Sequence, residues 1–303
     1  MVGVSTSQTS PIAFLKGHGT ENDFVIVPDP DNAHELPAAA VARLCDRRGG
    51  IGGDGLLHVV RSAAHPEAKH MADEAEWFMD YRNSDGSVAE MCGNGVRVFA
   101  RYLQRAGHVD AGDLAVATRG GVKKVHLAKA APDGSAAGDI TVAMGRALLP
   151  ADGVTVTIGA RSWPATNVNM GNPHAVAFVE DLGHAGDLYS VPPFSPASVY
   201  PDGVNIEFVV GRGERHVAMR VHERGSGETR SCGTGACAVA VAAARRDGVD
   251  PTVTGVPVTY TVDLPGGRLL ITEQPDGEIE MTGPAVIVAE GYIDPALLET
   301  VHA

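Results

Sequence analysis

Short apolar or alternating runs recur along the chain. Residues 113–118, 140–144, 154–158, 175–179, 206–210, 217–221, 258–262 and 268–272 read as strands separated by turn residues. The pattern changes in three places. After Cys92, the apolar residues Val96, Phe99, Ala100 and Leu103 fall at helical spacing, with Gly107 placed to end the helix. After Cys232, the run 236–244 is apolar on every face and is closed by Arg245, Arg246 and Gly248. A helix of that kind has to be wrapped by other elements. A third helix is expected over 36–48, ended by Gly49 and Gly50.

These elements fall into two similar halves. Asn22 opens one apolar run and Asn172 another. The turn pair Asp54-Gly55 is matched by Asp202-Gly203, and Cys92-Gly93-Asn94-Gly95 by Cys232-Gly233-Thr234-Gly235. Three anchors in the same order at similar spacing indicate an internal duplication. The expected architecture is α/β of the α+β type. It has two similar domains, each a curled, mostly antiparallel sheet around a central helix, with the active site in the cleft between them. The alanine-rich stretch 128–138 is the expected linker. It separates an N-terminal domain over 1–132, completed by about 284–303, from a C-terminal domain over 133–283.

Composition narrows the function. The chain has 303 residues, 44% of them apolar and 20% charged, enough to bury sizeable cores. A net charge of −13 disfavours phosphate backbones, so nucleic acid is not an expected partner. No apolar run reaches the length that spans a bilayer, and residues 1–10 lack a secretory pattern, so neither membrane nor export is expected. The four cysteines at 45, 92, 232 and 237 form no C-x-x-C pair, which fits neither a disulfide framework nor a zinc site. The expected compartment is a reducing cytoplasm. The 12 histidines form no H-x-x-x-H pair, and no metal is expected.

The two Cys-Gly-x-Gly turns carry the candidate chemistry. A cysteine just before a helix sits on free backbone N–H groups, which stabilise an anion and should lower the thiol pKa. The same groups can bind a carboxylate. Two such turns facing each other suit 1,1-proton transfer, with one thiolate removing an α-hydrogen and the opposing thiol protonating the other face. A lone cysteine is more often a core residue, and Cys45 and Cys237, which have no such turn, are assigned to the core. The repeated glycines and the polar neighbours Asn94, Thr234 and Ser231 set Cys92 and Cys232 apart.

Five stretches, GHGTENDF (17–24), YRNSDGSVAEMCGN (81–94), GNPH (171–174), PDGVN (201–205) and HERGSGETRSCGTG (222–235), resemble the diaminopimelate epimerases. That resemblance covers nearly the whole chain. It implies an isomerase of lysine and peptidoglycan-precursor biosynthesis that uses neither pyridoxal phosphate nor metal, with a homodimer as its possible assembly. It implies Cys92 and Cys232 as the acid–base pair, and His174 and Glu223 as groups that tune their ionisation. Gly93, Asn94, Gly233 and Thr234 would hold the reacting carboxylate. Asn22, Asn83, Asn172, Asn205, Glu223 and Arg224 would hold the rest of the substrate. Some family members carry Gln where this chain has Gly55, so no ligand is assigned there, and segment 61–76 matches nothing and reads as a surface insertion.

Taken singly, these residues have plainer readings. Asparagines before strands are common turn residues, His174 could be a satisfied core histidine, and Glu223–Arg224 a surface pair. Two other functions compete with this one. A proline or hydroxyproline racemase on the same fold would not need the further polar set of Asn83, Asn172, Asn205 and Arg224. A thiol-redox or regulatory binding protein would show no exchange at an α-carbon.

Overall fold

The computed structural model describes residues 11–129, 138–294 and 296–299. The first half runs β1 (Ile12–Gly19), β2 (Asn22–Pro28), α1 (Ala38–Cys45), β3 (Gly55–Arg61), β4 (Trp77–Asn83), α2 (Gly93–Arg105), β5 (Gly112–Thr118), β6 (Gly121–Leu127) and β7 (Ile140–Arg146). The second half begins with β8 (Val154–Ile158), β9 (Arg161–Asn169), β10 (Pro173–Phe178) and β11 (Phe194–Ser195). It continues through β12 (Asn205–Gly213), β13 (His216–Glu223), β14 (Gly227–Thr229) and α3 (Gly233–Arg246). It ends with β15 (Val258–Leu264), β16 (Gly267–Glu273), β17 (Glu278–Gly283) and β18 (Val286–Ile293).

Strand pairing repeats the sequence duplication. In the first half, β18, β1, β2, β3, β4, β5, β6 and β7 pair in that order, parallel only at β2–β3 and β4–β5. In the second, β8, β9, β10, β12, β13, β15, β16 and β17 pair in that order, parallel only at β10–β12 and β13–β15. The two series meet where β7 pairs with β17. Each strand of one series therefore has a counterpart in the other, with β11 and β14 as additions to the second half, and β18, the last in the chain, lies against β1, the first. This is the expected mostly antiparallel, curled and duplicated arrangement. Of the expected linker, 130–137 lie outside the described residues; Ala128 N–H meets Asp139 O at 3.0 Å as the chain leaves β6 for β7.

Each sheet wraps one helix. Val96, Val98, Phe99, Ala100 and Leu103 of α2 are fully enclosed, as are Ala236, Cys237, Ala238 and Val239 of α3. Both helices stop as expected. Gly107 and Gly248 take left-handed φ values of 74° and 73°, which return the chain so that His108 and Val249 N–H cap the carbonyls of Leu103 and Ala244. Helix α1 is shorter than expected. Pro37 sets its first turn, and Asp46 ends it by accepting the N–H groups of Arg48 and Gly49 through its side chain. Segment 61–76 is not merely superficial, because Ala68, Met71 and Ala75 pack on Phe78 and Ala117.

Candidate active site

Helices α2 and α3 touch one another, and both open onto one cleft of about 1620 Å³. Cys92 is the N-cap of α2 and Cys232 that of α3. Each has extended backbone, and each sulfur accepts the N–H three residues on, at 3.4 Å from Gly95 and 3.3 Å from Gly235. A cap is usually a hydroxyl, carboxylate or amide oxygen; here it is the sulfur. The glycines leave side chains packed close against the turns. A Cβ at Gly93 would sit 2.7 Å from Met281 Cε, and one at Gly235 would sit 2.8 Å from Glu207 Oε1. Met281 of β17 packs against both turns, since a Cβ at Gly233 would meet its sulfur at 3.1 Å.

The surroundings of the two sulfurs differ. Cys92 is met by amides. Its thiol donates to Asn22 Oδ1 at 3.7 Å, and Asn94 Nδ2 reaches the same oxygen at 3.1 Å. Asn22 is itself fixed by Asp54 at 2.8 Å, and Asp54 by Arg47 at 2.7 Å. Arg47 also grips Asp23 with both nitrogens, and Lys16 meets Asp23 at 2.6 Å. Burial opposes charge on Asp23, but Arg47 and Lys16 hold its carboxyl well below the usual range.

Cys232 is met by acids. It bonds Thr234 Oγ1 at 3.6 Å and lies within the field of Glu223, whose carboxylate accepts from Thr229. Behind it, His174 Nδ1 meets Glu207 Oε1 at 2.7 Å and Nε2 meets Asn172 Oδ1 at 3.0 Å, with both His174 and Glu207 fully buried. Asn172 in turn points its amide nitrogen at Thr234 Oγ1, at 3.4 Å.

Thiol ionisation departs from the sequence expectation. Burial pushes Cys92 up to about 11, and the Glu223 charge adds to it against the Gly95 and Asn94 N–H groups. Burial and then Glu223 and Glu207 push Cys232 well above the ordinary thiol range. Helix N-termini lower a thiol pKa where the thiol is wetted; here desolvation outweighs them and raises both thiols. Burial likewise raises the Glu223 carboxyl. Cys45 and Cys237 are buried in the core as expected.

Asn22, Asn83, Cys92, Gly93, Asn94, Asn172, Glu223, Arg224, Cys232, Gly233 and Thr234 all line the cleft. His174 and Asn205 lie behind its wall. Asn205 donates to Pro173 O at 3.1 Å and accepts the Arg224 N–H at 2.9 Å, so it holds the segment carrying Arg224. The Arg224 guanidinium bonds Asp202 O at 3.2 Å and pairs with no carboxylate among the described residues. Gly55 has no room for a side chain, because a Cβ there would sit 2.6 Å from Arg82 O and 2.7 Å from the Tyr81 ring.

Two residues of this site are given no role by the sequence reading, although Tyr81 opens the 81–94 stretch. Tyr81 lines the cleft with a hydroxyl that makes no hydrogen bond to the described residues. Burial, then the charges of Cys92 and Glu223, raises its pKa. Glu207 lies in the run IEFVV, where an acid flanked by apolar residues was the available clue. No cluster of three or more potential metal ligands occurs among the described residues. A second cavity, of about 410 Å³, lies beside His58 and Asp80 and includes none of the cysteines.

The family model described as "Diaminopimelate epimerase" matches residues 14–149 and 166–288. A diaminopimelate epimerase of Streptomyces coelicolor is 79% identical over 96% of this chain and 99% of its own length. That of Thermobifida fusca is 48% identical over 92% and 97%. Among solved structures, a Bacillus anthracis phenazine biosynthesis protein of the PhzF family superposes with a TM-score of 0.69 at 16% identity, covering 94% of this chain and 100% of that one. A hydroxyproline epimerase of Agrobacterium vitis gives 0.66 at 14% identity, covering 95% of each. At those identities the structures share the fold alone.

Proposed function

The chain belongs to the diaminopimelate epimerase family, and from that premise we propose that Cys92 and Cys232 are the two bases of its reaction. As a member it is an isomerase acting on diaminopimelate, in lysine biosynthesis. The observation that carries the residue assignment is that the two cysteines cap two counterpart helices opening into one cleft.

The reacting α-carboxylate binds between the N-termini of α2 and α3, at Gly93, Asn94, Gly233 and Thr234. The N–H groups there stabilise the charge that develops as the α-carbon loses its proton. One thiol must first become a thiolate. On the Cys232 side the acceptor is Glu223, whose raised carboxyl takes the proton and leaves Cys232 anionic. The thiolate removes the α-hydrogen as a proton, and the electron pair stays in the carboxylate-conjugated carbanion. Cys92 then protonates the opposite face and becomes the thiolate. The reverse reaction exchanges the roles, so the pair titrates as one unit. His174, held by Glu207, fixes Asn172 and tunes this ionisation.

Arg224 is free to pair with the distal carboxylate through both nitrogens, while Asn22, Asn83, Asn172 and Glu223 face the remaining polar groups. Asn205 contributes by holding the Arg224 backbone. The substrate is a small molecule, and the reading requires no cofactor. The functional units are proposed as 1–146 with 284–303, and 147–283, because β7 pairs with β6 and so belongs to the first series and not to the 133–283 unit expected from sequence. The pairing of β18 with β1 supports the first of these. No helix among the described residues is long and apolar enough to cross a membrane, and all four cysteines are free, which supports a cytoplasmic location. A homodimer is the proposed assembly, checked by its mass in solution.

Reduced protein incubated with LL-diaminopimelate and no added cofactor should form the meso isomer, followed by chiral chromatography. Failure to do so, with turnover of proline instead, would keep the two-thiol chemistry and overturn the substrate.

A further inference from the structure

Arg97 lies inside α2, five residues after Cys92, and its side chain is fully buried. It pairs with no carboxylate among the described residues. Its nitrogens meet Thr20 Oγ1 at 3.2 Å, Met281 Sδ at 3.2 Å and Pro284 O at 3.4 Å, all neutral. An uncompensated buried charge is costly, and a well-packed apolar side chain would ordinarily be at least as stable. Burial accordingly pulls the guanidinium pKa down to about 10.

The neutral partners lead to both catalytic turns. Thr20 Oγ1 accepts from Arg97 and shares a hydrogen bond with Ser231 Oγ at 2.6 Å. Ser231, the residue before Cys232, also accepts Asn94 Nδ2 at both its hydroxyl and its carbonyl, each at 3.2 Å. Asn94 then reaches Asn22, which takes the Cys92 thiol. One polar chain thus runs from a buried cation across the boundary between the halves and ends at Cys92. The charged or titratable groups around it are few. Cys92, Cys237 and Asp139 act on Arg97, and Glu223 acts on Cys92 from β13.

We propose that Arg97 is a positioning residue of the paired cysteine turns. It locks Ser231-Cys232 to Asn94 through Thr20, and its unneutralised charge is matched by the anion that those turns hold during the reaction. The inference deepens the two-thiol reading and rests on it.

The test uses Arg97→Met, which fills the space without charge, Arg97→Lys, and Thr20→Val, which breaks the chain and keeps the charge. The readouts are thermal unfolding, kcat and KM, and peptide-resolved alkylation of Cys92 against pH. Arg97→Met should unfold no earlier than the wild type. Its kcat should fall at least about tenfold, and Cys92 alkylation should move to higher pH by about one unit, a tenfold loss of thiolate. Arg97→Lys should recover part of the alkylation shift. Thr20→Val should lower kcat and leave that shift absent. Alkylation needs no substrate, so it reports on Arg97 even if the wild type proves inactive on diaminopimelate. A folded Arg97→Met variant with wild-type kcat and alkylation profile would overturn the proposal. If Arg97→Met does not fold, wild-type kcat in both Arg97→Lys and Thr20→Val would overturn it equally.

Discussion

Glu207 Oε1 lies 2.7 Å from His174 Nδ1, and neither side chain touches solvent. The counterpart position in the first half is apolar on both strands. His174 pairs with Asn205 as Phe24 pairs with Gly55, so Phe24 stands for His174 and Leu57 for Glu207. The duplicated fold therefore carries an ionisable dyad behind one cysteine only. Cys92 works among amides, Cys232 among acids.

Removing that dyad should act on Cys232 first. Glu207→Gln keeps an acceptor for His174 and deletes one of the two charges that raise the Cys232 thiol. Cys232 should then alkylate at lower pH than in the wild type, with the Cys92 profile unmoved. Glu207→Leu should destabilise the protein by about 3 kcal/mol, because it strands His174 in a dry site. Equal shifts at both cysteines would contradict the asymmetry.

Arg224 offers a cleaner separation of binding from chemistry. It pairs with no carboxylate among the described residues and sits at the cleft. Loss of a charge-assisted pair with the distal carboxylate costs about 1.5–3 kcal/mol. Arg224→Met should thus lower kcat/KM by about tenfold to a hundredfold, mostly through KM. A change confined to kcat would place Arg224 elsewhere in the reaction.

Alkaline pH should destabilise the fold. Burial holds Cys45 and Cys92 up to about 11 and Cys237 up to about 12, against 9.0 when exposed. The folded chain then binds more protons than the unfolded chain above pH 9, so stability falls as pH rises. The contribution is complete below 9 and lost through 11 to 12. Chemical denaturation at pH 8 and pH 11 should show the loss, reduced in Cys237→Ala, which is remote from the cleft. Equal midpoints at the two pH values for the wild type would contradict it.

Much of this was written in the sequence because local rules governed it. The helix after Cys92 announced itself through apolar spacing and Gly107, and the two cysteine turns through their repeated glycines, against which Met281 and Glu207 pack. What stayed hidden depended on contacts between distant segments. Strand β12 is buried on both faces from Asn205 to Val210, so alternation could not single out Glu207. Arg97 reads as one polar residue in an apolar helix until Thr20, Met281 and Pro284 close around it. The raised thiols are hidden for the same reason, since a helix N-terminus is visible in sequence and its desolvation is not.

The most direct test of two opposed thiols is the fate of the α-hydrogen in deuterated water at early conversion. With reduced protein and LL-diaminopimelate, mass spectrometry and NMR should find the meso product carrying deuterium at the inverted carbon while the remaining substrate keeps its hydrogen. The proton leaves on one sulfur and its replacement arrives from the other. Product that retains the original hydrogen would mean that a single base carried it across, and the pairing of Cys92 with Cys232 would fall.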